Sequence, residues 1–172
     1  MEENASAKAT VKSVGVKWGL ITTAVNITMF LVPALAGMNP FDQTLNWIGI
    51  AVGIVIIVLA HKDFKDNGDG YMNYGQGIGI ALIMGAVSTL IGGLFTYLYT
   101  TVIDTGVMEM VYQKQREAME AQNQPEANIE MAMKWTKMLF WPIYVFFGVV
   151  GTVIIALIVT IFTQKKRPES NF

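Results

Sequence analysis

At 172 residues, 53% hydrophobic, 15% charged and with a net charge of −1, the chain is about one domain long and strongly apolar, whereas soluble domains carry roughly a quarter charged residues. That balance leaves no basic face for nucleic acid. The absence of cysteine excludes disulfides, thiol redox chemistry and thiolate metal sites.

The apolar residues gather in four blocks free of Asp, Glu, Lys, Arg and His: Trp18–Gly37, Leu45–Ala60, Gln76–Ile103 and Leu139–Thr163. A bilayer core about 30 Å thick is crossed by roughly 20 residues of helix. The first and fourth blocks meet that length directly. The second has 16 residues and needs Gln43 and Thr44 to reach it, while the third has 28 and must tilt or project beyond the lipid. The expected fold is an all-α integral membrane protein: a four-transmembrane-helix bundle forming a single membrane domain over 1–172. Its spans cover about 18–37, 45–60, 76–103 and 139–163, with an extramembrane helical hairpin over 104–138 between helices 3 and 4.

In the first block, Leu31–Ala36 before Gly37 has the small-x-small shape of a signal-peptidase site. The long polar stretch before it, and Thr22, Thr23, Asn26 and Thr28 within it, favour a retained span over a cleaved one. Cleavage would leave three spans in the same orientation. With four spans and the N-terminus inside, the cytoplasmic segments hold Lys8, Lys12, Lys17, Lys62, Lys65, Lys165, Lys166 and Arg167. The outer segments hold only Lys114, Arg116, Lys134 and Lys137. That bias predicts both termini in the cytoplasm, Ser6 inside and Asn123 outside. Trp18, Tyr71 and Tyr74 would sit at the inner interface, and Trp47, Tyr97, Tyr99, Trp135 and Trp141 at the outer one.

Helices already dissolved in hydrocarbon pair through small residues that let backbones approach. The first span offers Gly15, Gly19 and Thr23; the second, Gly49 and Gly53; the fourth, Gly148, Thr152, Ala156 and Thr160. The third carries an unbroken four-residue series, Gly77, Ala81, Gly85, Thr89 and Gly93, which makes it the expected hub. Packing within one chain is the simpler reading of these faces, with a homo-oligomer seam as the alternative. Ile83 is expected to face lipid.

The segment His61–Gly70 is the most polar of the inner connections. Asp66-Asn67-Gly68-Asp69-Gly70 evokes a calcium loop, but a calcium hand requires a Glu at loop position 12. Counting from Asp63 or Asp66 reaches Tyr74 or Gly77, so a tight turn is expected. His61, the sole histidine, reads as an interfacial side chain rather than a ligand or pH sensor.

The opening of the third span, Gly70, Tyr71, Tyr74, Gly75, Gln76 and Gly77, its exit at Tyr97–Asp104 and the helical stretch before the last span carry a resemblance. Over nearly its whole length the chain resembles bacterial membrane proteins grouped as domain of unknown function family 4199. Members often have Pro after the Asp that closes the third span, where this chain has Thr105. The resemblance implies architecture, with no activity or site residues to carry over.

Asp104–Met138 is too long for a simple link and reads as two helices broken at Gln124-Pro125. Six of the chain's eleven methionines fall there: Met108, Met110, Met119, Met131, Met133 and Met138. Met108-x-Met110 and Met131-x-Met133 evoke thioether copper sites, but residues two apart on a helix point about 200° apart and cannot chelate together. Methionine as adaptable filler at a contact surface makes Met108, Met110, Met131, Met133 and Trp135 the candidate partner surface, with the hairpin lying on lipid or covering the bundle mouth.

Transporters and channels place charged or strongly polar residues within their spans; this chain offers only Thr22, Thr23, Asn26, Thr28, Ser88 and Thr89, with helix breaks hinted at Pro33 and Gly92-Gly93. No nucleophile, base and metal ligands fall in mutual reach. The expectation is a non-enzymatic accessory or assembly protein without catalytic, cofactor or metal site, working on the lipid bilayer with a membrane or periplasmic protein partner. The alternatives are a small solute transporter or channel, or the membrane subunit of a lipid-linked glycosyltransferase.

Overall fold

A computed structural model describes residues 9–168; Ser6 and Lys8 lie outside them. Five α-helices follow in order: α1 (Val11–Leu35), α2 (Gln43–Asp66), α3 (Tyr74–Leu98) continued by a π-helical turn (Tyr99–Ile103), α4 (Gly106–Ala121) and α5 (Glu126–Thr163). Four of these, α1, α2, α3 with its π turn, and α5, are long and apolar enough to cross a membrane.

The helices begin at caps and overrun the apolar blocks. Thr10 starts α1, its hydroxyl accepting from the Ser13 N–H at 3.0 Å while the Ser13 hydroxyl accepts from the Thr10 N–H at 3.0 Å, a reciprocal pairing that satisfies two otherwise orphaned donors. The helix therefore starts seven residues before the apolar block and carries Lys12 and Lys17 in its first turns. Pro33 lies within its last turn, and the chain reverses at Gly37, whose φ of +70° suits a residue without Cβ. Asp42 caps α2, accepting from the Thr44 N–H at 3.0 Å.

Helix α2 also runs past its apolar block, through His61-Lys62-Asp63 to Asp66. Its charges have partners there, so nothing forces the helix to stop. The Asp63 carboxylate accepts from Lys17 Nζ at 2.9 Å and from Trp18 Nε1 at 2.8 Å, and Lys65 Nζ donates to the Thr163 carbonyl at 2.9 Å. The tight turn expected at Asp66–Gly70 does follow, with Gly70 at φ +80°. Asn73 and Gln76 form a second reciprocal cap at the start of α3, which passes Gly92-Gly93 unbroken.

The connection after α3 departs from expectation in one respect. The break at Gln124-Pro125 is present, with Asn123 at φ 55°. Beyond it, however, the expected second helix and fourth span are one helix, Glu126–Thr163, of 38 residues with Pro142 inside it. At 1.5 Å per residue it is nearly 60 Å long, about twice a bilayer core, so one end extends well beyond the lipid. Helix α4 packs along that extension.

The Ala9 N–H donates to the Asn67 carbonyl at 3.1 Å, and Met72 and Lys165 exchange backbone hydrogen bonds of 2.9 and 2.8 Å. These contacts gather the start of α1, the α2–α3 turn and the end of α5 at one end of the bundle, here the tail end. The opposite, α4 end holds the α1–α2 connection, the π turn and α4. The flanks expose large apolar side chains, up to Phe162 at 82%. Such a surface suits lipid and would aggregate in water.

Candidate functional site

The tail end is closed by close packing around α3. A Cβ added at Gly77 would stand 2.5 Å from Thr160 Cγ2, and one at Gly85 2.6 Å from Thr152 Cγ2. On the other face, Cβ atoms at Gly15 and Gly19 would stand 2.7 Å from Ile83 Cβ and 2.8 Å from Val87 Cβ. In both cases a branched side chain fills the gap left by a missing one. Ile83 is thus a packing residue of the α1–α3 contact, contrary to its expected place on the lipid face.

His61 is part of this closure. It is fully buried, with Nε2 3.0 Å from the Gly77 carbonyl and Nδ1 2.7 Å from Thr163 Oγ1. The carbonyl can only accept, so Nε2 carries a proton and donates to it. Both ring nitrogens are engaged, and the residue ties α2 to α3 and α5. The reading of His61 as interfacial therefore fails. The sequence held a usable signal: Ile57, Ala60, His61 and Phe64 follow the three- and four-residue steps of one buried helix face.

Toward the α4 end the helices separate. A Cβ at Gly148 would lie 3.8 Å from Thr89 Oγ1, one at Gly93 4.0 Å from Tyr144 Cε1, and one at Gly53 or Gly151 would meet nothing within 4 Å. Helix α2 has no buried residue from Gln43 to Val55, and α5 has none from Glu130 to Ile155. Of the expected packing residues, then, Gly77 lies wholly in the closed half. Ala81 and Gly85 are packed at its boundary and line the space that opens beyond it, together with Thr89, Gly93, Gly49, Gly53 and Gly148.

That space is a cleft of about 940 Å³ between α1, α2, α3 and α5. No charged side chain lines it. Its walls are apolar (Met29, Ile50, Met84, Phe147) and interrupted by neutral polar groups: Asn26, Asn46, Ser88, Thr89, Thr96, Tyr144 and Thr152. The Asn26 amide donates to Ser88 Oγ at 3.1 Å. The hydroxyls of Thr96 and Thr152 donate to the carbonyls four residues back, at 2.9 and 2.8 Å, which leaves their oxygen lone pairs as acceptors. The α4 end of the cleft is capped by aromatic rings, with Phe41 meeting Phe30, Phe140 and Tyr144 at centroid distances of 5.8, 5.4 and 6.1 Å. Chemically the cleft can surround an apolar chain and hydrogen-bond an uncharged head; it has no countercharge for an ion.

The candidate partner surface divides. Met131 and Trp135 are exposed on α5, together with Met138, at 60%, 52% and 55%. Met108 is buried, and Met110 and Met133 are half-buried. Among the described residues no three His, Asp or Glu side chains are grouped to hold a metal ion.

Residues 17–164 match the family described as protein of unknown function (DUF4199). The chain belongs to that family. It is also similar to a UPF0756 membrane protein of Pediococcus pentosaceus, at 32% identity over 88 residues covering 47% of this chain and 51% of that protein. The chain thus matches about half the length of this curated relative. No solved structure matches it. With four helices of membrane-crossing length and this family, the chain is a multi-pass membrane protein of an unknown-function family.

Proposed function

We propose that this protein is a non-enzymatic, accessory membrane protein that holds a neutral, lipid-like molecule in the cleft between α2 and α5. The carrying observation is the cleft itself. Its volume of about 940 Å³ falls within the roughly 300–1,000 Å³ of small-molecule sites and is far too small for a further membrane-crossing helix. Its uncharged lining selects against ionic heads, which cannot leave water unpaired. A hydroxyl or carbonyl head on an apolar tail would find Asn26, Ser88 and the threonine oxygens as partners.

A transport reading is the runner-up, and the tail end argues against it. Ala60, His61, Met72, Ile80, Ala81, Ala156 and Thr160 are all fully buried there, so the cleft ends blind. A protein that binds without passing its ligand across fits an accessory role, with Met131, Trp135 and Met138 as the face available to a partner. Among the described residues the tail end holds Lys12, Lys17, Lys62, Lys65, Lys165, Lys166 and Arg167 against Lys114, Arg116, Lys134 and Lys137 at the α4 end. By the positive-inside bias this supports a tail end facing the cytoplasm, in the inner membrane of a bacterium.

Two measurements test these statements. A pyrene-labelled long-chain alcohol, presented in phosphatidylcholine nanodiscs, should quench tryptophan fluorescence on binding, and the corresponding pyrene-labelled alkylammonium should not. Gly53→Leu, which adds a side chain where nothing lies within 4 Å, should weaken alcohol binding at least tenfold. Equal binding by the ammonium probe, or by the leucine variant, would remove the neutral-cleft reading. For orientation, Gln124→Cys in the cysteine-free chain should react with an impermeant maleimide in cells whose inner membrane is intact. A cysteine shielded until lysis would reverse the topology.

A further inference from the structure

The α2 wall of the cleft is fastened firmly at one end and lightly at the other. All buried residues of α2, Ile56, Ile57, Ala60, His61 and Phe64, lie in its tail-end half. At the α4 end the helix is held through the two residues that precede it. Phe41 fits its ring among Phe30, Phe140 and Tyr144. Asp42 accepts from Lys114 Nζ at 2.8 Å, and Lys114 stands on α4.

Helix α4 itself is well seated. Val107 and Met108 are buried, and Gln115 Nε2 donates to Thr136 Oγ1 at 2.9 Å on α5. The α1–α2 connection, by contrast, contains Gly37, which has nothing within 4 Å of an added Cβ. We infer that the α4-end half of α2 is a lateral gate to the cleft, with Phe41 as its plug and the Asp42–Lys114 ion pair as its latch.

The inference rests on the cleft being a binding site, and it follows from what each contact costs to break. An exposed ion pair is weak and screened by salt, so it opens and re-forms readily. Phe41 packs edge-on against Phe140 and Tyr144 and tilted against Phe30, and withdrawing its ring strands no polar group. The face α2 turns to the cleft carries Gly49 and Gly53, which offer no side chain to catch on α5. The clamped half, with His61 bonded on both ring nitrogens, supplies the fixed point about which the rest swings.

The test uses Asp42→Cys with Lys114→Cys in the full chain. A lysine's length separates the two backbones, so a direct disulfide would strain them; a reducible bifunctional thiol reagent bridges the gap instead. The readout is the rate at which the pyrene-labelled alcohol leaves protein in phosphatidylcholine nanodiscs for acceptor vesicles. Cross-linking should slow release at least tenfold, and reductant should restore it. Each single cysteine variant should be unaffected by the reagent. Lys114→Met, which keeps the Asp42 cap of α2, should release the probe several-fold faster than the unaltered protein. Equal release before and after reduction, with the probe still bound, would overturn the latch and leave the cleft reading standing. Failure of the unaltered protein to bind the probe removes the cleft reading and the gate together.

Discussion

The two halves of the bundle are built from the same small-residue vocabulary and reach opposite results. At the tail end, glycines of α3 face Thr152 and Thr160, and glycines of α1 face Ile83 and Val87. Each absent side chain is matched by a branched one, and the helices close. At the α4 end, Gly49 and Gly53 of α2 look across at Gly148 and Gly151 of α5, with little on either side to fill the space. Large rings add to the separation, since Phe30, Phe41, Phe95, Tyr99, Phe140 and Tyr144 all collect at that end. A small residue permits close approach but does not cause it; the residue opposite decides.

The largest effect that could break this contrast comes from placing one side chain in each half. Gly85→Leu forces a branched chain into a gap already occupied by Thr152, where even a Cβ would stand at 2.6 Å. Overpacking of that kind costs about 1–3 kcal/mol and more where backbones touch, so little folded protein should survive detergent extraction. Gly53→Leu adds the same atoms to the cleft, and its melting temperature should stay close to that of the unaltered protein. Similar melting of the two variants would mean that the halves do not differ in packing.

A smaller loss is expected at His61. Replacing it with Ala deletes a fully buried ring and removes its hydrogen bonds to the Gly77 carbonyl and the Thr163 hydroxyl, although that hydroxyl keeps the Val159 carbonyl as a partner. Cavity and hydrogen-bond losses together amount to about 2–3 kcal/mol. Because all the buried residues of α2 lie in this half, the variant should also bring Ala60 into reach of a thiol probe when it carries Ala60→Cys. A variant as stable as the parent, with that cysteine still protected, would show that His61 is not the clamp.

Much of the architecture was legible because membrane spans are a matter of length and charge, and the four blocks each mark one long helix. Their edges were not. Lys12 and Lys17 at the start of α1, and His61 to Asp66 at the end of α2, look like loop residues until Asp63 meets Lys17 and Trp18 and Lys65 meets the Thr163 carbonyl. The join between Glu126 and Thr163 was hidden by a change of composition without a change of backbone. Gly49, Gly53 and Gly148 gave no sign that they line a cleft, because which small faces meet depends on helix positions that spacing alone does not set. Met110 and Met133 were half-buried for the same reason, while Met131 and Trp135 alone among the proposed contacts stayed exposed.

The smallest expected effect concerns the latch, where the sign of a pH dependence can be worked out. The hydrogen bond from Lys114 is the main reason the Asp42 carboxyl titrates below its ordinary value, with the Thr44 backbone N–H adding to it. A carboxylate whose folded-state value is lowered contributes stability that is fully present above the unfolded value, about 3.9. That contribution disappears as pH falls through the lowered folded value. The pair should therefore contribute fully from neutral pH down to about 4 and open only as pH falls further, through the lowered folded value. Both partners are substantially exposed, so the difference in melting temperature between the unaltered protein and Lys114→Met should be small at pH 7. It should close at low pH, where Asp42 is protonated and Lys114 has nothing to hold. High salt should narrow it in the same way, because screening acts on an exposed pair. A difference that persists at low pH would mean that Lys114 works through its aliphatic stem resting on the bundle, and the charge pair would have no part in holding α2.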